Sequence, residues 1–331
     1  MPRNALLSLA VSFLSSQASL SLAAAQVRPD LQSALATRLC QSQSPLEARE
    51  LWQLGVFDAQ MQAAWIDADE PIALADLLEA AQQQAAKSLH QGYAFGLCDS
   101  RRAWIVTSPA PAAILRREAD SIVAATSLLQ GSCTHYDLDT AEAAKGMPRS
   151  LQKKSLPTTD NVVINANFLK AGTVAVTCHP PGPATRGPEL WALMPVGRWD
   201  YTKVPDFDAG QYQGSAGLKR WIEQLRASHS LKPLHLNKPI MKRYARELLQ
   251  ATSIRHPRAL LLTQAAELKK KKGKFLGENR VKASSSSEMA WLLWHSPQHR
   301  RLLLNKEANA LGLELSRLDL DELAVLVLAR L

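Results

Sequence analysis

The sequence predicts an α+β protein that is predominantly helical: a helical N-terminal lobe, a small β-containing middle and a basic all-helical C-terminal lobe. Three observations predict it. Apolar residues recur at helical spacing through Ile72–His90, a stretch rich in Ala, Leu and Gln. Short β-branched runs cluster in residues 151–217, among proline- and glycine-rich segments. From Leu218 onward, one helically patterned stretch follows another.

The elements follow in order. Ser44-Pro45-Leu46-Glu47 has a capping residue, a proline suited to the first turn and a glutamate three residues on, so a helix starts there and stops at Gly55. Phe57–Trp65 reads as a second short helix and Ile72–His90 as a third. Tyr93–Cys98 and Ala103–Thr107 flank Asp99-Ser100 as a hairpin. Pro111–Gln130 reads as a helix and Ser150–Thr159 as a polar linker. Asn161–Phe168 and Thr173–Cys178 read as a second hairpin around Ala171-Gly172, and Glu189–Pro195 as another strand. HPPGPATRGP (179–188) and Asp206–Gly217 are loops. Helices are expected at Leu218–Ser228, Pro239–Thr252, Pro257–Lys274, Glu288–His295, Pro297–Leu311 and Leu320–Leu331. No internal repeat is visible. The units are residues 1–26 as an arm or signal-like segment, 27–150, 151–217 and 218–331.

Residues 1–26 permit two readings. Arg3, the apolar Ala5–Leu14 and Ala23-Ala24-Ala25 compose a secretory signal. Leu6, Leu9 and Phe13 equally make an amphipathic arm that packs on a neighbouring subunit. With 46% hydrophobic and 21% charged residues, the 331-residue chain can bury a core, which excludes a disordered tail protein, a coiled coil and a multispan membrane protein. Cys40, Cys98, Cys133 and Cys178 include no CxxC pair, so structural zinc spacing is absent; their even number permits two disulfides after export.

Charge is the strongest lead. Residues 219–331 hold 22 basic and 10 acidic side chains, a net of +12, whereas residues 1–218 carry a net of −3. Such asymmetry points to nucleic acid or an anionic surface. The expected contacts are Lys242, Arg243 and Arg246 on one helix face, Arg255, Arg258, the run Lys269, Lys270, Lys271, Lys272 with Lys274, then Arg280, Lys282, Arg300 and Arg301. Tyr244, Phe275, Trp291 and Trp294 could stack bases, although Trp291 and Trp294 have the spacing of a helix core. The leading expectation is therefore a non-enzymatic, self-associating RNA-binding protein of nucleocapsid type, cytoplasmic or within a ribonucleoprotein particle, needing no cofactor. The alternative is an exported or envelope-associated protein with a cleaved signal peptide, two disulfides and a basic surface that meets a membrane.

Short motifs offer less. GxGxxG and GxxxxGK[ST] are absent. Pro297 breaks the His295…His299 spacing, and no base can be assigned to Ser132-Cys133 or Cys178-His179 as nucleophile sites. In QGSCTHYDLD (130–139), Gly131-Ser132 precedes Asp137 and Asp139. This stretch resembles the nucleotidyltransferase superfamily, in which a Gly-Ser turn precedes two strand carboxylates that hold Mg²⁺. The resemblance implies a second alternative, a magnesium-dependent nucleotidyltransferase using Asp137 and Asp139, with Asp200 as a third carboxylate. Its gap of four residues is shorter than that family's.

Overall fold

The computed structural model describes residues 25–41, 47–88, 90–129, 131–144, 147–157, 159, 161–165, 171–179, 188–197, 213–236, 238–251, 257–318 and 321–331. The arm or signal-like residues 1–24, Arg255, Asp200, and residues 180–187 and 206–212 of the two predicted loops lie outside them; the end of the second loop, from Gly214, is the start of α4.

The N-terminal unit runs β1 (Gln26–Val27), α1 (Pro29–Gln41), α2 (Ala48–Gln53), β2 (Gln62–Asp67), α3 (Leu74–Ser88), β3 (Gly92–Leu97) and β4 (Arg102–Ser108). Its sheet has the order β1-β3-β4-β2. Alternation along β4 explains the layers: Trp104 and Val106 pack against Leu31, Leu35 and Leu39 of α1, whereas Ala103 and Ile105 pack against Leu77, Ala81 and Ala85 of α3. At the end of β1, buried Arg28 bonds Asp58 at 2.6 Å, Asp30 at 2.7 Å and Ser108 at 2.7 Å, so its charge is matched where water is excluded.

The middle is a sandwich of two sheets. One comprises β5 (Leu115–Glu118), β6 (Ser121–Ala124) and β9 (Val162–Asn165). The other has the order β11-β10-β7-β8, from β7 (His135–Ala144), β8 (Met147–Leu156), β10 (Ala171–His179) and β11 (Glu189–Gly197). Ile122, Tyr136, Leu138, Val174, Val176 and Met194 fill the space between them.

The C-terminal unit comprises α4 (Gly214–Ser228), β12 (His235–Leu236), α5 (Pro239–Gln250), α6 (Pro257–Lys270), β13 (Lys274–Ala283), α7 (Ser286–His295), α8 (Pro297–Leu303), β14 (Ala310–Leu318) and β15 (Asp321–Arg330). Its sheet has the order β12-β14-β15-β13. Ala324, Leu326 and Leu328 of β15 face α4 and α7; Val325, Val327 and Ala329 face α5.

The two outer units share one topology. In each, the first strand runs parallel to the third, the third antiparallel to the fourth, and the fourth antiparallel to the second. Helices occupy the same two connections, and the strand order is equivalent. The chain thus contains an architectural duplication to which sequence self-similarity gives no clue, because topology needs only matching polar and apolar faces.

The expected fold class is corrected accordingly. The protein is not predominantly helical, and its C-terminal lobe is a sheet between helical layers. Within Leu320–Leu331, read as a helix, Asp321–Arg330 form strand β15. Phe57–Trp65 contributes the start of β2, Pro111–Gln130 contributes β5, β6 and a short 3₁₀ turn at Thr126–Leu129 rather than an α-helix, and Ser150–Thr159 contains most of β8. The strands β9 and β10 exist, but β9 pairs with β6 and β10 with β7 and β11 rather than with each other. The β3–β4 hairpin and α3, α4, α5 and α7 fall where the sequence places them.

Candidate functional site

The expected basic contacts among the described residues lie on α5, α6 and the turn after it, β13 and α8, and many are already engaged. On α5, Arg243 bonds Glu267 of α6 at 2.5 Å, and Arg246 lies 3.7 Å from Glu314; Lys242 is exposed. Lys271 lies 3.6 Å from Glu267, Lys274 bonds Glu307 at 2.9 Å and Arg280 lies 3.3 Å from Glu278. Arg258 is in the first turn of α6. Lys282 and Arg301 are exposed, on β13 and α8. Arg300 is an interior residue: it is buried, donates to the Trp294 and His295 carbonyls, and is pulled down to about 10 by burial, with Asp139 opposing that shift. Lys269, Lys270 and Lys272 remain exposed at the end of α6.

The aromatic residues expected to stack bases are core. Trp291, Trp294 and Tyr244 are buried, and Phe275 packs against the α5 core. Trp52 of α2 meets Trp291 edge to face with centroids 4.6 Å apart, which fastens the N-terminal unit to α7.

The cysteines form two disulfides, Cys40–Cys98 and Cys133–Cys178. The first ties the end of α1 to the turn after β3; the second ties the entry of β7 to β10. None of the four is free. This pairing is the mark of an oxidising compartment and overturns the cytoplasmic nucleoprotein reading. The burial of Tyr244, Trp291 and Trp294 removes the base-stacking support for it.

Asp137 and Asp139 do share one face of β7, as their i, i+2 spacing requires. They do not open toward a nucleotide, because both are buried, at 2% and 1% exposure. The Asp139 carboxylate attracts the charge of Arg300. Asp137 accepts from Ser155 Oγ at 2.7 Å through Oδ1, and its Oδ2 lies 2.9 Å from His179 Nε2. The structure surrounds this carboxylate with groups the sequence reading did not assemble. His135 and His179 are directly opposed on β7 and β10, with stacked rings 4.0 Å apart. Asp137 lies two residues along β7, hence on the same face. Among the described residues, one potential ligand atom from each of His135, Asp137 and His179 lies within 4.8 Å of the others.

Thr134 completes this corner. Its backbone N–H and hydroxyl both reach the His179 carbonyl, at 2.8 and 3.0 Å, and the hydroxyl lies 3.1 Å from His135 Nδ1. A cleft of about 800 Å³ elsewhere is lined by Pro29, Trp52, Phe57 and Pro111, with Arg116 and Arg117 also present. Among the described residues its lining holds one carboxylate, Asp30, and no histidine, cysteine or serine, so chemistry is better sought at His135, Asp137 and His179.

No protein-family model and no curated protein matches the chain. Three solved structures overlap it in part. An outer surface protein from Borrelia burgdorferi is 17% identical over 34% of this chain and 89% of that one, with a TM-score of 0.27. A cysteine-rich secretory protein from Staphylococcus aureus subsp. aureus Mu50 is 12% identical over 65% of this chain and 79% of that one, with a TM-score of 0.29. An extracellular protein containing a SCP domain from Bacillus anthracis str. Ames is 12% identical over 47% of this chain and 64% of that one, with a TM-score of 0.25. At those TM-scores, no fold, residue role or activity is transferred.

Proposed function

We propose that the chain is an exported protein that works in an oxidising compartment and rests its basic C-terminal unit on an anionic lipid surface. The observation that carries export is the pairing of all four cysteines inside the chain. Each disulfide joins segments already held by strand and helix packing, so both support the native arrangement. The lipid surface rests on Lys242, Lys269, Lys270 and Lys272, exposed cations without a carboxylate partner among the described residues. Among those residues, no helix is long and apolar enough to cross a membrane.

The test is chemical. Protein taken from its own cells under acid quench is treated with a thiol-alkylating reagent and weighed intact, before and after reduction. Export gives no alkylation before reduction and four alkylated cysteines after it. Four alkylated cysteines before reduction would return the chain to a reducing compartment.

A further inference from the structure

We propose that His135, Asp137 and His179 form a binding site for a divalent transition cation, with two imidazoles and one carboxylate as ligands. The proposal does not depend on export or on the lipid surface.

Donor chemistry comes first. Two histidines and a carboxylate are a ligand set for Zn²⁺, which leaves a fourth position for water. The strand register brings them together. His135 and His179 are a cross-strand pair at the end of the β7–β10 ladder, and Asp137 shares their face one pleat further in. The Cys133–Cys178 disulfide joins residues two before His135 and one before His179, so it braces the positions of the two imidazoles.

The hydrogen bonds then set the tautomer. The Thr134 hydroxyl has one proton, which it donates to the His179 carbonyl. Its contact with His135 Nδ1 is therefore made as acceptor, so Nδ1 carries the proton and Nε2 presents a lone pair. Such a bond behind an imidazole is how proteins orient metal ligands. Asp137 has equivalent support: Ser155 occupies Oδ1 and leaves Oδ2 directed at His179 Nε2.

Distances fit with small movements. Tetrahedral zinc ligands about 2.0–2.1 Å from the ion stand roughly 3.3 Å apart. His179 Nε2 and Asp137 Oδ2 are 2.9 Å apart, so a cation entering between them opens the pair by a few tenths of an ångström and displaces the proton they share. The stacked rings, 4.0 Å apart, close by a side-chain tilt while the ladder stays fixed. The buried carboxylate supplies negative charge where water screens it least, and the partial exposure of His179, 27%, gives the ion an entry.

The experiment uses untagged, metal-free, oxidised full-length protein. Zn²⁺ alone is titrated calorimetrically, and the histidine ring nitrogens are followed by NMR during the same titration. One equivalent should bind, shifting the His135 and His179 rings and no others. His135→Ala and His179→Ala should each weaken binding by more than about 100-fold, beyond the cost of losing a supporting hydrogen bond. His235→Ala, at an exposed histidine outside the cluster, should leave it unchanged. Absence of stoichiometric binding, ring shifts elsewhere, or full affinity in folded His135→Ala would overturn the site. If His179→Ala does not fold, the ring shifts of the unmodified protein decide alone.

Discussion

The Glu288 carboxyl accepts the Ala48 backbone N–H at 2.6 Å, joining two residues 240 positions apart. Ala48 opens α2 and Glu288 lies in the first turn of α7, beside the Trp52–Trp291 contact. A single buried carboxyl thus joins the N-terminal unit to the C-terminal one.

That carboxyl makes stability depend on pH. Burial pushes Glu288 up to about 8, against the lowering effect of the Ala48 bond. Its unfolded value is near 4.5. Between these values the native state holds a proton that the unfolded state releases, so stability falls as pH rises from about 4.5 to about 8. Glu288→Gln keeps an acceptor for Ala48 and removes the titration. The variant should be more stable than the parent above pH 8, by at most on the order of 5 kcal/mol, with the difference shrinking toward pH 4.5. Urea denaturation across pH measures this; parallel curves for the two proteins would refute it.

Gly312 provides a steric test. It lies in β14 where α5 crosses, and a Cβ there would meet the Met241 carbonyl oxygen. The obstacle is helix backbone, which cannot swing aside as a side chain could. Gly312→Ala should cost about 1–3 kcal/mol, in the range of overpacked cores. Chemical denaturation gives the number, and a neutral result would mean that α5 sits farther from the sheet.

Several helices and one hairpin of this architecture are legible in sequence, the fold class is not, and the failures have physical causes. Helices α3, α4 and α5 each bury one stripe and expose the other, so periodicity reveals them. β15 is buried on both faces, and its run LAVLVLA has no alternation to distinguish a strand from a core helix. β13 was hidden by Lys, Gly and Asn, which suggest a loop, and its alternation is interrupted by the register shift between Phe275 and Gly277. At the candidate site, the shared face of Asp137 and Asp139 is readable from spacing alone. The arrival of His179 is not, because it depends on a β7–β10 register across 42 residues, and HYD and CH carry no metal-site spacing. Charge asymmetry is visible in the composition, which does not reveal that Arg300 is buried or that Glu267 and Glu307 engage Arg243 and Lys274.

The disulfides should matter thermodynamically as well as diagnostically. Cys40–Cys98 and Cys133–Cys178 span 58 and 45 residues. Chain-entropy arguments give each about 4 kcal/mol of stabilisation, through a less free unfolded state. Replacing both cysteines of one pair with serine should lower stability by up to that amount while far-ultraviolet circular dichroism stays native in form. An unchanged denaturation midpoint in both double variants would show that packing alone holds these segments.

The lysine run gives a direct test of the lipid-surface proposal. Lys269 and Lys270 close α6, where cations favour the helix dipole, and Lys271 and Lys272 continue into the turn before β13. Changing all four to Gln preserves helix propensity and removes exposed charge, so stability should move by less than about 0.5 kcal/mol, apart from the small contribution of the Lys271–Glu267 pair. Each lysine near an anionic lipid surface contributes about 1 kcal/mol, an attraction that fades within a Debye length. Partitioning onto vesicles containing an acidic phospholipid should therefore fall by up to roughly a thousandfold at low salt in the quadruple variant. The parent should lose the same advantage at high salt, and neither protein should bind zwitterionic vesicles. Equal partitioning of parent and variant onto acidic vesicles would leave the run as a solvated helix end, with Lys242 on α5 the next exposed cation to test.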